Sequence, residues 1–161
     1  MQPSVYPLSL IFKVNTRFFT NAMKDISTDH WTEKTDEYLN PLCWVASHIV
    51  FARYLALVFL DKPVHNPYEE LFANFKGYDS ALSYPSPDEV REEWTKVTAL
   101  LNDALETASP EVLQMESPVK TPTGDFTNIG TLAFMAQHES YHTGQLAMLK
   151  RHVTSMPMSY N

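Results

Sequence analysis

The sequence predicts an all-α protein: a four-helix bundle with a long crossover between helices 2 and 3. Three observations predict it. Apolar residues recur at spacings of three, four and seven along separate stretches, the mark of helices with one buried face. No stretch alternates with the period of two that a half-buried strand needs. Only 4 glycines stand against 11 prolines, which suits helices punctuated by prolines and not a sheet of tight hairpins. At 161 residues, 44% of them hydrophobic, the chain is expected to form one domain over residues 1–161 with a sizeable core.

Leu8, Ile11, Phe12, Phe18, Phe19 and Ala22 predict a first helix over roughly residues 7–24. Asn15 interrupts that apolar stripe, as a buried hydrogen-bonded amide or as a group facing a cavity. The second helix is expected to start at Asn40 as N-cap, with Pro41 in the first helical position. It runs to about Leu60 and stops before Lys62-Pro63. Val45, Ile49, Phe51, Leu55, Leu57 and Val58 lie on every side of it, so it should be buried almost all round. In the crossover, Asn66-Pro67-Tyr68 opens a short helix over Glu69 to Asn74. Ser86-Pro87-Asp88-Glu89 is a capping box with proline in the first helical position, followed by a stripe of Val90, Trp94, Val97, Leu101, Leu105 and Ala108. The fourth helix begins near Thr127 or Asn128, after the Thr121-Pro122-Thr123-Gly124 turn. It continues to about His152, where Lys150, Arg151 and His152 suit the negative end of the helix dipole.

Composition excludes several classes of function. The formal net charge is -7 and no run of Lys and Arg stands out, so nucleic acid is not an expected partner. The single Cys43 makes no intrachain disulfide, which favours a reducing, cytoplasmic setting. Residues 1–20 lack the features of a signal peptide. The most apolar run, Trp44 to Leu60, holds Ser47, His48 and Arg53 and is short for a bilayer; it reads as a buried helix, and no membrane partner is expected.

The chemistry resides in the histidines. His48 shares its helical face with Trp44, Val45, Phe51, Ala52, Leu55 and Phe59, where a neutral imidazole still needs partners for both nitrogens. Taken alone it reads as a core histidine. His138 and His142 are four residues apart on the richer apolar face of the fourth helix, so both rings project together. Such a pair on an inward face grips a transition metal, and bundle topology makes His48 the natural third ligand. Three imidazoles leave one tetrahedral position open, the arrangement of catalytic sites. His30, His65 and His152 lie near loops or helix ends and are expected to be solvated. Cys43 is on the far side of its helix from His48 and is not expected to ligate or attack. The run His138-Glu139-Ser140-Tyr141-His142 also satisfies the H-E-x-x-H pattern of zinc hydrolases. The longer form of that motif needs Gly and His where this chain has Gln145 and Met148, which leaves a zinc hydrolase as a remote alternative. Glu139 sits ~100° round the helix from His138, as a group behind the ligands and not a base.

Three segments carry a family resemblance: Val14-Asn15-Thr16-Arg17-Phe18, Trp44-Val45-Ala46-Ser47-His48-Ile49, and His138-Glu139-Ser140-Tyr141-His142-Thr143-Gly144-Gln145. In that order and spacing, the chain resembles the DinB-like (YfiT-like) family of metal-binding four-helix bundles. Phe18 stands where the family often has Trp. The resemblance implies a metal site at His48, His138 and His142, and a homodimer. It also implies kinship with S-transferases that use a low-molecular-weight thiol such as bacillithiol, and with mycothiol-dependent maleylpyruvate isomerases. The expected function is a cytoplasmic transferase adding such a thiol to a small electrophile, with zinc, nickel or iron in the site. Asn15 and Gln145 are candidates to bond substrate or orient the site, and Trp44, Phe51, Phe134 and Tyr141 to line its pocket. The alternatives are a non-enzymatic stress protein that binds a metal or small molecule, and a vestigial metal-free site. The strip of Ala133, Ser140, Gly144 and Ala147 permits close helix approach, inside the bundle or across a homodimer.

Overall fold

Four long helices carry the chain: α1 (Tyr6–Met23), α2 (Leu42–Val58), α4 (Pro87–Thr107) and α6 (Asn128–Thr154). The crossover from α2 to α4 holds the short helix α3 (Glu69–Phe72), extended by a 3-10 turn at Ala73–Phe75, and α5 (Pro110–Gln114) follows α4. This computed structural model describes residues 1–160, Phe75 by its backbone alone. α1 and α2 each pack against both α4 and α6, so the four long helices close a ring around one core. Among the described residues the only β-type pairing is an isolated antiparallel bridge, Glu116 to Thr127. No helix among them is long and apolar enough to cross a membrane.

α4 and α6 start for reasons visible in their first turns. α4 carries the expected capping box: the Ser86 hydroxyl accepts from the Glu89 N–H, and the Glu89 carboxylate accepts from the Ser86 N–H at 2.7 Å. α6 is capped by the Thr127 hydroxyl, which accepts from the Gly130 N–H. Glycine is required at 130 because a Cβ there would lie 2.6 Å from the Asp125 side chain. α2 corrects an expectation. Its N-cap is Pro41, not Asn40, because Pro41 is extended (ψ 167°) and helical geometry begins at Leu42. The loop satisfies an orphan donor instead, since the Cys43 N–H donates to the Trp31 carbonyl. Trp31 is buried and its indole N–H donates to the Pro85 carbonyl at 2.7 Å, which ties this loop to the start of α4.

α1 has no basic residue in its own last turn. Its carbonyl end is closed from outside, by Lys150 of α6 on Asn21 O and Lys24 O and by Arg91 of α4 on Met23 O and Ile26 O. α5 was not expected; five residues are too few to show a helical period. Its signal was Ser109-Pro110-Glu111, with the Ser109 hydroxyl capping Val112 N–H as Ser86 caps α4. α2 is buried almost all round, as its composition predicts: 13 of its 17 residues are buried, with α4 and α6 on its inner sides and the crossover helix α3 also packed against it.

Candidate metal centre

α2 and α6 pack together, and that contact brings His48 to the His138–His142 pair. His48 Nε2 lies 3.3 Å from His138 Nε2, and His138 Nε2 lies 3.1 Å from His142 Nε2. Three imidazoles on a tetrahedral ion, with metal–nitrogen bonds of about 2.0–2.1 Å, would hold their nitrogens about 3.3 Å apart. The two spacings at His138 suit one shared ion, and the ligand atoms of all three histidines lie within 4.8 Å of one another. The protonation states fit it too. Burial, with the neighbouring imidazoles adding to it, pushes His48 down to about 3 and His138 down to about 4, and burial lowers His142. Each shift favours the neutral ring, the form that ligates.

His142 has its tautomer assigned by a neighbour. Its Nδ1–H donates to Gln145 Oε1 at 2.7 Å, which leaves Nε2 bare and directed at the cluster. Gln145 is oriented in turn, because its Nε2 donates to the Tyr141 hydroxyl at 3.1 Å. The Nδ1 atoms of His48 and His138 are buried and find no protein partner among the described residues. Three imidazole nitrogens within 4.8 Å of one another, two of them on rings whose Nδ1 finds no protein partner, form a donor set that suits a metal.

Aromatic rings wall the histidines. Trp44 stacks on His48 at 4.7 Å and 9°, and Phe72 meets the same ring edge-on at 5.1 Å. Both are buried and form the back of the site. Phe51 lies beside His48, Phe134 beside His138 and Tyr141 beside His142, with ring centroids 6.1, 5.8 and 5.1 Å away. These three keep part of their surface exposed, so each histidine has one aromatic ring at the rim.

Trp44, Phe51, Phe134, Tyr141 and Gln145 thus gather at the site. Asn15 does not. It is buried between α1 and α6, where its amide donates to the Ala136 carbonyl at 3.0 Å and accepts from the Ser140 hydroxyl at 2.9 Å. It is the first of the two roles its sequence position allowed. Glu139 also faces away from the triad, into a buried ion pair with Arg53. A carboxylate committed to a guanidinium cannot serve as the base that H-E-x-x-H hydrolysis needs, which removes the basis for the hydrolase alternative. Cys43 is fully buried and burial pushes its thiol up to about 12, so it has no thiolate to offer at neutral pH. His30, His65 and His152 are exposed. Sequence reasoning missed Phe72, which reaches the site from the crossover, and the partner of Arg53. The latter had a signal: a lone guanidinium in an apolar helix requires a buried acceptor.

A solved structure, the conserved protein of locus from Enterococcus faecalis, is similar in fold, with a TM-score of 0.70 over 97% of this chain and 99% of that one at 15% sequence identity. No curated protein sequence matches this chain significantly. The sequence profile of the DinB superfamily matches residues 12–146, a span that holds all three histidines and the four long helices in whole or large part, and the chain belongs to that superfamily.

Proposed function

We propose that this chain is a metal-dependent transferase that joins a low-molecular-weight thiol to a small electrophile in the cytoplasm. The observation that carries the reading is the convergence of three histidine Nε2 atoms, with His138 3.3 Å from His48 and 3.1 Å from His142; a shared tetrahedral ion would have one position left for a ligand. His48, His138 and His142 would hold zinc, nickel or iron, and the bound ion would favour the thiolate form of a thiol at the remaining position. Gln145 and Tyr141 hold His142 in its ligating orientation. Trp44 and Phe72 exclude water from behind His48, while the exposed parts of Phe51, Phe134 and Tyr141 offer an apolar mouth for the body of the electrophile. The new bond is sulfur to carbon; the leaving group departs with its electron pair and the thiol proton passes to solvent. A reducing cytoplasm keeps such thiols available. The reading includes a homodimer, supported by a groove between α1 and α6 whose sides carry exposed Leu10, Ile11, Val14 and Met148.

The test is metal analysis of untagged protein prepared without chelator, beside a His142→Ala variant, followed by thiol addition to cobalt-loaded protein. The expected result is about one equivalent of metal, lost in the variant, a sulfur-to-cobalt charge-transfer band, and accelerated conjugation of a chromogenic electrophile. Metal without the band or the acceleration would make the protein a non-enzymatic metal binder. No metal uptake at neutral pH would reduce the histidines to packing.

A further inference from the structure

We infer that the buried Arg53–Glu139 pair is a register latch for the metal site: positioning residues that fix how α2 seats against α6 so that His48 meets His138 and His142. The inference rests on the metal-site reading above. Arg53 and Glu139 are 1% and 2% exposed, and the guanidinium uses all five of its N–H groups. Nε and Nη2 donate to the two oxygens of Glu139, Nη1 donates to the hydroxyls of Thr16 and Thr98, and Nη2 also donates to the Phe12 carbonyl. The guanidinium also lies 3.5 Å from the centre of the Trp94 ring. One side chain of α2 thus touches α1, α4 and α6 at once.

Why a latch is needed follows from α2 itself. A helix that is apolar on every side can be rotated or slid against its neighbours at small cost, because apolar contact is not directional. A slip of one residue moves a side chain about 1.5 Å along the axis, and metal ligands tolerate only about 0.5 Å. A bidentate guanidinium–carboxylate contact is directional and admits one seating. Glu139 is the residue next to His138, and Arg53 is five residues from His48 on the same rigid helix. The pair therefore acts where an error in register would separate the ligands. It also gives the H-E-x-x-H pattern of this chain a role other than catalysis.

The experiment replaces the pair by apolar residues of similar size, Arg53→Met with Glu139→Leu, and measures zinc affinity by chelator competition together with metal-free thermal unfolding. The expected variant folds with wild-type helix content and a midpoint no lower than that of the parent, since buried pairs often give way to apolar residues without loss, yet binds zinc at least tenfold more weakly. Leu101→Ala, on α4, is the control: it lowers the midpoint and leaves zinc affinity unchanged. A folded double variant with affinity within twofold of wild type overturns the latch. If the double variant does not fold, Arg53→Lys carries the test, because lysine keeps the charge and loses the fork; at least threefold weaker binding is expected, and unchanged binding overturns the inference. Should wild-type protein take up no zinc, the metal-site reading fails separately. The latch is then judged on imidazole proton contacts between His48 and His138 by NMR: loss in the variant supports it and persistence overturns it.

Discussion

Among single residues, Gln145 shows how a group that would never touch an ion can orient one of the three histidines. Its carbonyl oxygen takes the Nδ1 proton of His142, and neither of the other two histidines has such a partner among the described residues. Loss of the oxygen frees the ring to rotate or to take the other tautomer. Gln145→Leu should therefore bind zinc roughly 10–100-fold more weakly. Gln145→Glu, which keeps an acceptor at the same place, should bind within a few-fold of wild type. Chelator competition at pH 7.5 measures both, and equal affinities for the Leu and Glu variants would remove Gln145 from this role. The meeting of the three histidines was legible because a side chain's face follows from its position along a helix: His138 and His142 are one turn apart, and His48 interrupts an apolar run. The partners were less legible. A helical wheel places Glu139 ~100° from His138 but does not say that Arg53 waits there. Nor does it say that Asn15, polar on an apolar stripe, bonds the Ala136 carbonyl instead of a ligand.

Helix ends follow the same division. The start of α4 was readable to the residue because its cap is local: Ser86, Pro87, Asp88 and Glu89 are contiguous, and the side-chain bonds they imply are the ones formed. Ser86→Ala removes the hydroxyl that accepts from Glu89 N–H and should cost about 1 kcal/mol, a fall of roughly 2–4 °C in the unfolding midpoint. Calorimetry checks it, and an unchanged midpoint would mean that Glu89 alone suffices. The end of α1 was read to within a residue, but what closes it was not, because its caps, Lys150 and Arg91, come from residues more than sixty positions away. Lys150 is buried, and burial lowers its pKa from the usual lysine value, yet it delivers its ammonium to two carbonyls. Lys150→Met should destabilise by about 2 kcal/mol and should expose the amides of the last turn of α1 to hydrogen exchange before those of α2. Uniform exchange across both helices would show that α1 is not held from this end. The start of α2 slipped for a related reason: whether Pro41 is helical or extended depends on what the preceding loop packs against, here Trp31.

For the whole molecule, the groove between α1 and α6 and the burial of the triad lead to separate expectations. Leu10, Ile11, Val14 and Met148 are exposed together along that groove. If a second copy covers them, Val14→Glu should convert a dimer to a monomer by light scattering while leaving zinc binding intact, because the triad lies between α2 and α6. A monomeric wild type would end that idea. The histidines should also make the metal-free protein sensitive to acid. In the unfolded chain a histidine takes its proton near pH 6.5. In the folded protein burial holds His48 down to about 3 and His138 down to about 4, and lowers His142. Between those values the unfolded state binds protons that the folded state does not. The stability from His48 and His138 is complete above about pH 6.5, declines as pH falls, and is lost through their folded values near 3 and 4; His142 contributes in the same direction. Carboxylates titrate in the lower part of that range, so the diagnostic window is about pH 5–6.5. In that window the denaturation midpoint of chelator-treated protein should drop with acid, and His48→Leu should drop less, since one proton-binding group has gone. Parallel slopes for the two proteins would show that His48 is not held neutral by the fold. Zinc should steepen the dependence in wild type alone, because each ligand that gains a proton must release the ion.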